Sequence, residues 1–153
     1  VTEDPARVSF VWNDHSSARP MADVARFHMR FGLSAPAVPQ LLRPDAFAFR
    51  VQFMQEELTE YVEACRRGDM ADAADALVDL VYVVLGTMYL HGFPFDALWD
   101  EVQACNMRKV RAADASQSKR GSSLDVVKPP GWEPPRIAQI LARHGAAISF
   151  GVT

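Results

Sequence analysis

Gln55-Glu56-Glu57-Leu58-Thr59-Glu60-Tyr61-Val62-Glu63 and Asp72-Ala73-Ala74-Asp75-Ala76-Leu77-Val78-Asp79 place two acidic ladders on two consecutive helical segments. The second ladder runs straight into the apolar stretch Leu80-Val81-Tyr82-Val83-Val84-Leu85. Carboxylates at helical spacing beside core residues are costly unless something positive sits among them. A divalent cation meets that need, because hard oxygen-binding ions take several carboxylates at once. The pattern points to a metal-dependent enzyme acting on phosphates.

The chain around the ladders reads as helical hairpins. Asp45 is the expected N-cap of a long helix that ends near Gly68. Its apolar stripe is Phe47, Val51, Met54, Leu58, Tyr61 and Cys65, at spacings of 4, 3, 4, 3 and 4, a heptad-like seam. On a helical wheel Glu56, Glu60 and Glu63 cluster on the far side, and Glu57 lies between them and the seam. Glu57 is therefore expected to point inward, Glu56 and Glu60 to flank it, and Glu63 to face solvent. Asp69 is the expected N-cap of the next helix, which runs to His91 and stops at Gly92. That helix is apolar almost all round from Leu77 to Leu90 and is expected to be the central buried one. Asp72, Asp75, Asp79, Tyr82 and Gly86 share one face of it. Asp79, between Val78 and Leu80, is out of place in a core helix without a partner.

Outside this pair the elements are shorter. Pro20 and Gly32 bracket a short amphipathic helix bearing Val24, Phe27, His28 and Phe31. Residues 34–44 carry Pro36, Pro39 and Pro44 and form a loop. Pro94 opens a fourth helix from about Phe95 to Val110, with Leu98, Val102 and Cys105 as its stripe. Residues 112–128 are polar, with a Gly121-Ser122-Ser123 turn, and Lys128-Pro129-Pro130-Gly131-Trp132-Glu133-Pro134-Pro135 excludes a helix. A last short helix is expected over 136–144. The domain reading is an N-terminal arm over 1–19 with the apolar cluster Phe10-Val11-Trp12, a helical core over 20–111, and a C-terminal extension over 112–153.

Composition narrows the classes. With 153 residues, 49% of them hydrophobic, the chain makes one ordinary domain. A net charge of −3 and no basic run speak against a direct nucleic-acid binder. Cys65 and Cys105 fall on the apolar sides of expected helices and read as buried free thiols of a reducing compartment. Residues 1–20 lack the apolar core of a signal peptide, and no stretch reads as a membrane span of ~18 apolar residues. A cytoplasmic location with no membrane partner is the expectation.

The glutamates taken alone also fit a solvated helix face, and Asp79 with Asp75 tips the reading to Mg²⁺. Di-iron bundles use Glu-x-x-His on two helices, and none of His15, His28, His91 and His144 has a glutamate three residues before it. His28 reads as a core or pocket-edge histidine, and His91 as a helix C-terminal residue favoured by the dipole. Asn106, Lys109 and Lys128 fit either phosphate contacts or an ordinary helix end and surface lysine. Tyr82 and Trp132 fit either base stacking or packing. The chain has no Gly-x-x-x-x-Gly-Lys loop and no Ser/His/Asp arrangement, which favours water as the nucleophile.

The ordered set of motifs resembles the all-α nucleoside triphosphate pyrophosphohydrolases, the MazG-like and phosphoribosyl-ATP-pyrophosphohydrolase-like group. Glu56-Glu57-Leu58-Thr59-Glu60 is similar to that family's Glu-Glu-x-x-Glu, and Asp79-Leu80-Val81-Tyr82-Val83 to the end of its Glu-x-x-Asp half and the segment that follows. Asn106-Met107-Arg108-Lys109 resembles its Asn-x-x-Lys. Lys128-Pro129-Pro130-Gly131-Trp132 and Phe27-His28 with Phe31-Gly32 resemble one branch. The likeness spans about Met21 to Ile140, with one departure: Ala76 stands where the family has a glutamate, and Asp75 is the available substitute.

The resemblance implies an all-α fold whose helical hairpins assemble into a four-helix-bundle core across a homodimer interface, as a homodimer or homotetramer. It implies Mg²⁺, with Mn²⁺ as a substitute, held by Glu57, Glu60, Asp75 and Asp79, and Glu56 as the catalytic residue that activates water. Asn106, Lys109, Lys128 and Tyr82 would bind substrate, a nucleoside triphosphate such as dGTP, GTP or dUTP, in phage or bacterial nucleotide-pool control. The alternative is a non-catalytic nucleotide- or partner-binding helical dimer.

Overall fold

Gly68 and Asp69 set the architecture. In the computed structural model, which describes residues 18–148, helices α2 (Pro44–Arg67) and α3 (Met70–His91) are joined by this pair alone. The two pack as an antiparallel hairpin, the most extensive contact between elements among the described residues. Gly68 takes φ 72°, a left-handed conformation that costs any other residue about 1–2 kcal/mol. The Asp69 amide donates back to Ala64 O at 2.9 Å. Its carboxylate accepts from the Ala71 and Asp72 amides at 3.1 and 3.0 Å. One helix thus stops and the next is capped on adjacent residues.

Helix α1 (Ala18–Arg30) lies across α3, and α4 (Phe95–Asn106) follows the turn after Gly92. The chain then forms an antiparallel ribbon, β1 (Val110–Arg111) against β2 (Val126–Val127), with Val110 opposite Val127 and Arg111 opposite Val126. A 3₁₀ turn (Ala115–Gln117) sits inside the ribbon loop. Helix α5 (Ile137–Arg143) returns to α4 and buries Ile140. The all-α class holds, and the ribbon is the only sheet among the described residues.

Several local expectations are corrected. The N-cap of α2 is Arg43, because Pro44 starts the helix with no N–H to satisfy. Asp45 sits in the first turn and pairs with Arg43 at 3.2 Å. Helix α4 ends at Asn106, short of Val110: the Arg108 and Lys109 amides turn back to Cys105 O and Asn106 O, and Val110 is taken by the ribbon. Cys105 is buried as expected, whereas Cys65 is exposed. Helix α3 proves long and apolar enough by length and composition to cross a membrane. One line of it packs on α2, part of another is covered by α1, and one face carries Asp72, Asp75 and Asp79, three charges that a membrane-spanning helix would have to bury. The expected arm, with Phe10, Val11 and Trp12, lies outside the described residues.

The line of α2 that meets α3 is Arg50, Glu57 and Ala64, not the apolar seam. Phe47, Val51 and Leu58 of that seam are exposed in the single chain. So are Leu77, Val78, Val81 and Val84 of α3, the helix expected to be buried all round. In an antiparallel pair these two arcs lie on the same side of the hairpin, opposite the acid flanks. The hairpin therefore has an acid side and an apolar side.

At the covered end of the hairpin, two polar side chains are buried under α1. The Arg50 Nε donates to Thr87 Oγ1 at 3.0 Å, and its guanidinium donates to Val83 O at 2.6 Å. Burial holds the Arg50 guanidinium below its ordinary pKa. His28, 3% exposed, donates from Nδ1 to Val24 O at 2.8 Å. Gly86 makes room for both: a Cβ there would lie 2.6 Å from His28 Cε1 and 3.0 Å from the Arg50 guanidinium. Neither neighbour is free to swing away. Gly86→Ala is expected to destabilise the fold, since overpacking of about 1–3 kcal/mol exceeds the ~1 kcal/mol gain in helix propensity. A thermal melt checks it, and an unchanged or higher Tm would show that the imidazole yields.

Candidate active site

The acid side of the hairpin is built from both helices. Glu57 is only 8% exposed, wedged where α2 meets α3. Burial raises its carboxyl pKa first, and the charges of Glu60, Asp79, Glu56 and Asp75 raise it further, in that order. These residues therefore share one electrostatic neighbourhood centred on Glu57. Glu56 is exposed and accepts from Gln52 Nε2 at 2.8 Å. Toward the hairpin tip a cleft of about 260 Å³ is lined by Glu60, Glu63, Arg67, Asp72, Asp75 and Ala76. An Arg67–Asp72 ion pair at 2.9 Å spans it.

Helix α1 explains why this face is open. Asp72, Asp75, Asp79, Tyr82 and Gly86 share one face of α3. Gly86 lies against His28, and Tyr82 packs edge-on against Phe27 with ring centroids 5.4 Å apart. Phe31 adds a third ring, 4.8 Å from Phe27. Helix α1 thus covers the C-terminal half of the face, and its aromatic edge borders the uncovered aspartates.

The donor chemistry suits a hard divalent cation: the group offers carboxylate oxygens and neither imidazole nor thiolate. Its charge repulsion is the condition that a cation relieves. Yet among the described residues no three His, Cys, Asp or Glu side chains converge into a ready-made metal cage. The carboxylates are near enough to feel one another without converging on one point. Asp79 is exposed, so burial in a core helix is not what marks it. Its place in the field around Glu57 is. Ala76 is buried against the hairpin interior, whereas Asp75 is exposed and lines the cleft with Glu60.

The remaining expected substrate groups lie elsewhere. Asn106 ends α4 and is exposed. Lys109 and Lys128 meet in a separate cleft of about 470 Å³ on the ribbon, whose lining includes none of the expected carboxylate ligands. Trp132 donates from its indole N–H to Cys105 O at 2.9 Å, and the Lys128 ammonium sits over its ring at 4.3 Å, so Trp132 is a structural anchor. Arg50, Lys119 and Arg120 were not singled out from the sequence. Arg50 hid as one polar residue on an amphipathic helix, and the two cations of the ribbon are remote in sequence from the residues they join.

A family model described as phosphoribosyl-ATP pyrophosphohydrolase matches residues 24–106, more than half of the chain. No curated protein matches it. The matched span runs from α1 through α4 and contains the whole acid face.

Proposed function

The chain belongs to the phosphoribosyl-ATP pyrophosphohydrolase family, hydrolases of nucleotide diphosphate bonds, and we propose that it cleaves a nucleoside or deoxynucleoside triphosphate between the α and β phosphates. The products are the monophosphate and pyrophosphate. The observation that carries this reading is the buried Glu57 ringed by Glu60, Asp79, Glu56 and Asp75. Glu57, Glu60, Asp75 and Asp79 would hold Mg²⁺ or Mn²⁺, which would supply charge neutralisation for the phosphates. Glu56, exposed beside the group, orients the attacking water and takes its proton as the oxygen bonds to the α phosphorus and the bridge to the β phosphate breaks. Phe27 and Tyr82 border the aspartates and offer an aromatic edge for a base.

The exposed apolar side of the hairpin supports a homodimer, two hairpins building one four-helix core, or a dimer of such dimers. A nucleotide-pool role in the cytoplasm fits this chemistry, with dGTP, GTP or dUTP as first choices. The test is pyrophosphate release with Mg²⁺ across the common NTPs and dNTPs, with phosphoribosyl-ATP included. At least one nucleotide should turn over, and EDTA should abolish the rate. Tight binding with no release from any of them would favour a non-catalytic nucleotide-binding dimer, the reading that the buried Ala76 supports.

A further inference from the structure

One cation stands inside the acid face. The cleft at the hairpin tip, about 260 Å³, is lined by Glu60, Glu63, Asp72, Asp75 and Ala76, and by Arg67, whose guanidinium is the one positive group in the lining. Four carboxylates thus face one guanidinium. Glu60 and Asp75 belong to this cleft and to the group around Glu57 alike, so the tip and the acid group form one continuous surface.

Local structure fixes where Arg67 goes. It is the last residue of α2, and Asp72 lies in the first turn of α3. Only Gly68 and Asp69 separate the two helices, which holds these ends side by side. A cation is favoured at a helix C-terminus and an anion at an N-terminus, so both dipoles support the pair. The Arg67 guanidinium donates to Asp72 Oδ2 at 2.9 Å. The two side chains are 55% and 62% exposed, and an ion pair this open to water contributes little to stability. Its effect on a neighbouring cation is larger. A fixed positive charge repels a divalent ion with twice the energy that it has for a monovalent one. Pairing also withdraws Asp72 from the oxygens that an incoming ion could recruit.

We infer that Arg67 is a tethered counter-ion that lowers the affinity of the acid face for a free divalent cation, through its own charge and by occupying Asp72. The inference rests on the metal-holding reading above. The tip is partly neutralised before any ion arrives, which favours an ion that brings phosphate oxygens with it over the bare ion.

The probe is Mn²⁺ alone, titrated by calorimetry into the metal-free full chain without nucleotide. The chains are the parent, Arg67→Gln, Arg67→Lys and the double variant Arg67→Gln/Asp72→Asn, with helicity compared by circular dichroism. Arg67→Gln is expected to bind Mn²⁺ about three- to tenfold more tightly than the parent, and the difference should shrink as salt is raised. Arg67→Lys keeps the charge and should bind as the parent does. The double variant removes the guanidinium and its carboxylate together and should return to near the parent affinity. Equal binding by parent and Arg67→Gln would overturn the inference and leave Arg67 a surface ion pair. Weaker binding by Arg67→Gln would also overturn it and make the guanidinium a support of the site's shape. Mn²⁺ bound by none of the four chains would sink the metal reading and the inference with it, and the silent parent tells that result apart from the other two.

Discussion

Glu57→Gln protein is expected to release pyrophosphate about 10²–10³-fold more slowly than the parent, and yet to melt at a higher temperature in metal-free buffer. Both effects come from one position. Glu57 is buried beside four other carboxylates, and that burial and repulsion raise its pKa. A raised carboxyl pKa means that the folded state holds the proton more tightly than the unfolded chain does. The associated stability is complete below the ordinary carboxylate range and is lost as pH rises through the raised value. At neutral pH the ionised side chain therefore works against the fold, and a neutral isostere of the same shape removes that strain. The same substitution removes the carboxylate best placed to share a cation between the helices, so transition-state charge goes uncompensated. Mg²⁺ should accordingly raise the Tm of the parent more than that of the variant. Glu63→Gln, on the exposed edge of α2, is the comparison and should change neither rate nor Tm by much. Turnover near the parent rate in Glu57→Gln protein would remove Glu57 from the catalytic group.

Turn chemistry was the most readable part of the fold. Gly68, Asp69 and Gly92 end or begin helices for reasons local to the backbone, and the α2–α3 hairpin followed from them. The seam of α2 was readable as apolar, but the surface that covers it was not. Periodicity reveals that Phe47, Val51 and Leu58 need cover; it does not reveal whether their own chain or a second one provides it. The contact within the chain falls instead to Arg50, Glu57 and Ala64, where the Thr87 and Val83 oxygens and the absent Gly86 side chain accommodate the Arg50 guanidinium. The ribbon was invisible for a different reason. Two-residue strands carry no periodicity, and pairing Val110 with Val127 is a non-local choice. The acid ladders were legible as a group because helical spacing alone puts them together, whereas the ribbon cations required the closed chain.

Val81→Arg is expected to convert a dimer into a monomer while leaving the helical content unchanged, and to remove most of the turnover with it. Val81 is 55% exposed in the single chain and lies midway along the arc formed by Leu77, Val78 and Val84. Within one chain a cation at such a place meets solvent, and the cost should stay within about ±0.5 kcal/mol. Between two copies the position is different. A two-fold interface uses the same patch twice, so a single substitution introduces two charges into one apolar seam. Each must then be desolvated without a partner, a penalty of several kcal/mol that no gain in packing offsets. Size-exclusion chromatography with light scattering should show the mass halved, and circular dichroism should report the same helicity. Turnover should fall because the hairpin that carries Glu57 on its acid side would lose the copy that covers its apolar side. A monomeric parent at every concentration would reject the dimer outright. A parent dimer that Val81→Arg leaves intact would move the interface to a different face, and the exposed leucines and valines of α2 and α3 would then need another partner to cover them.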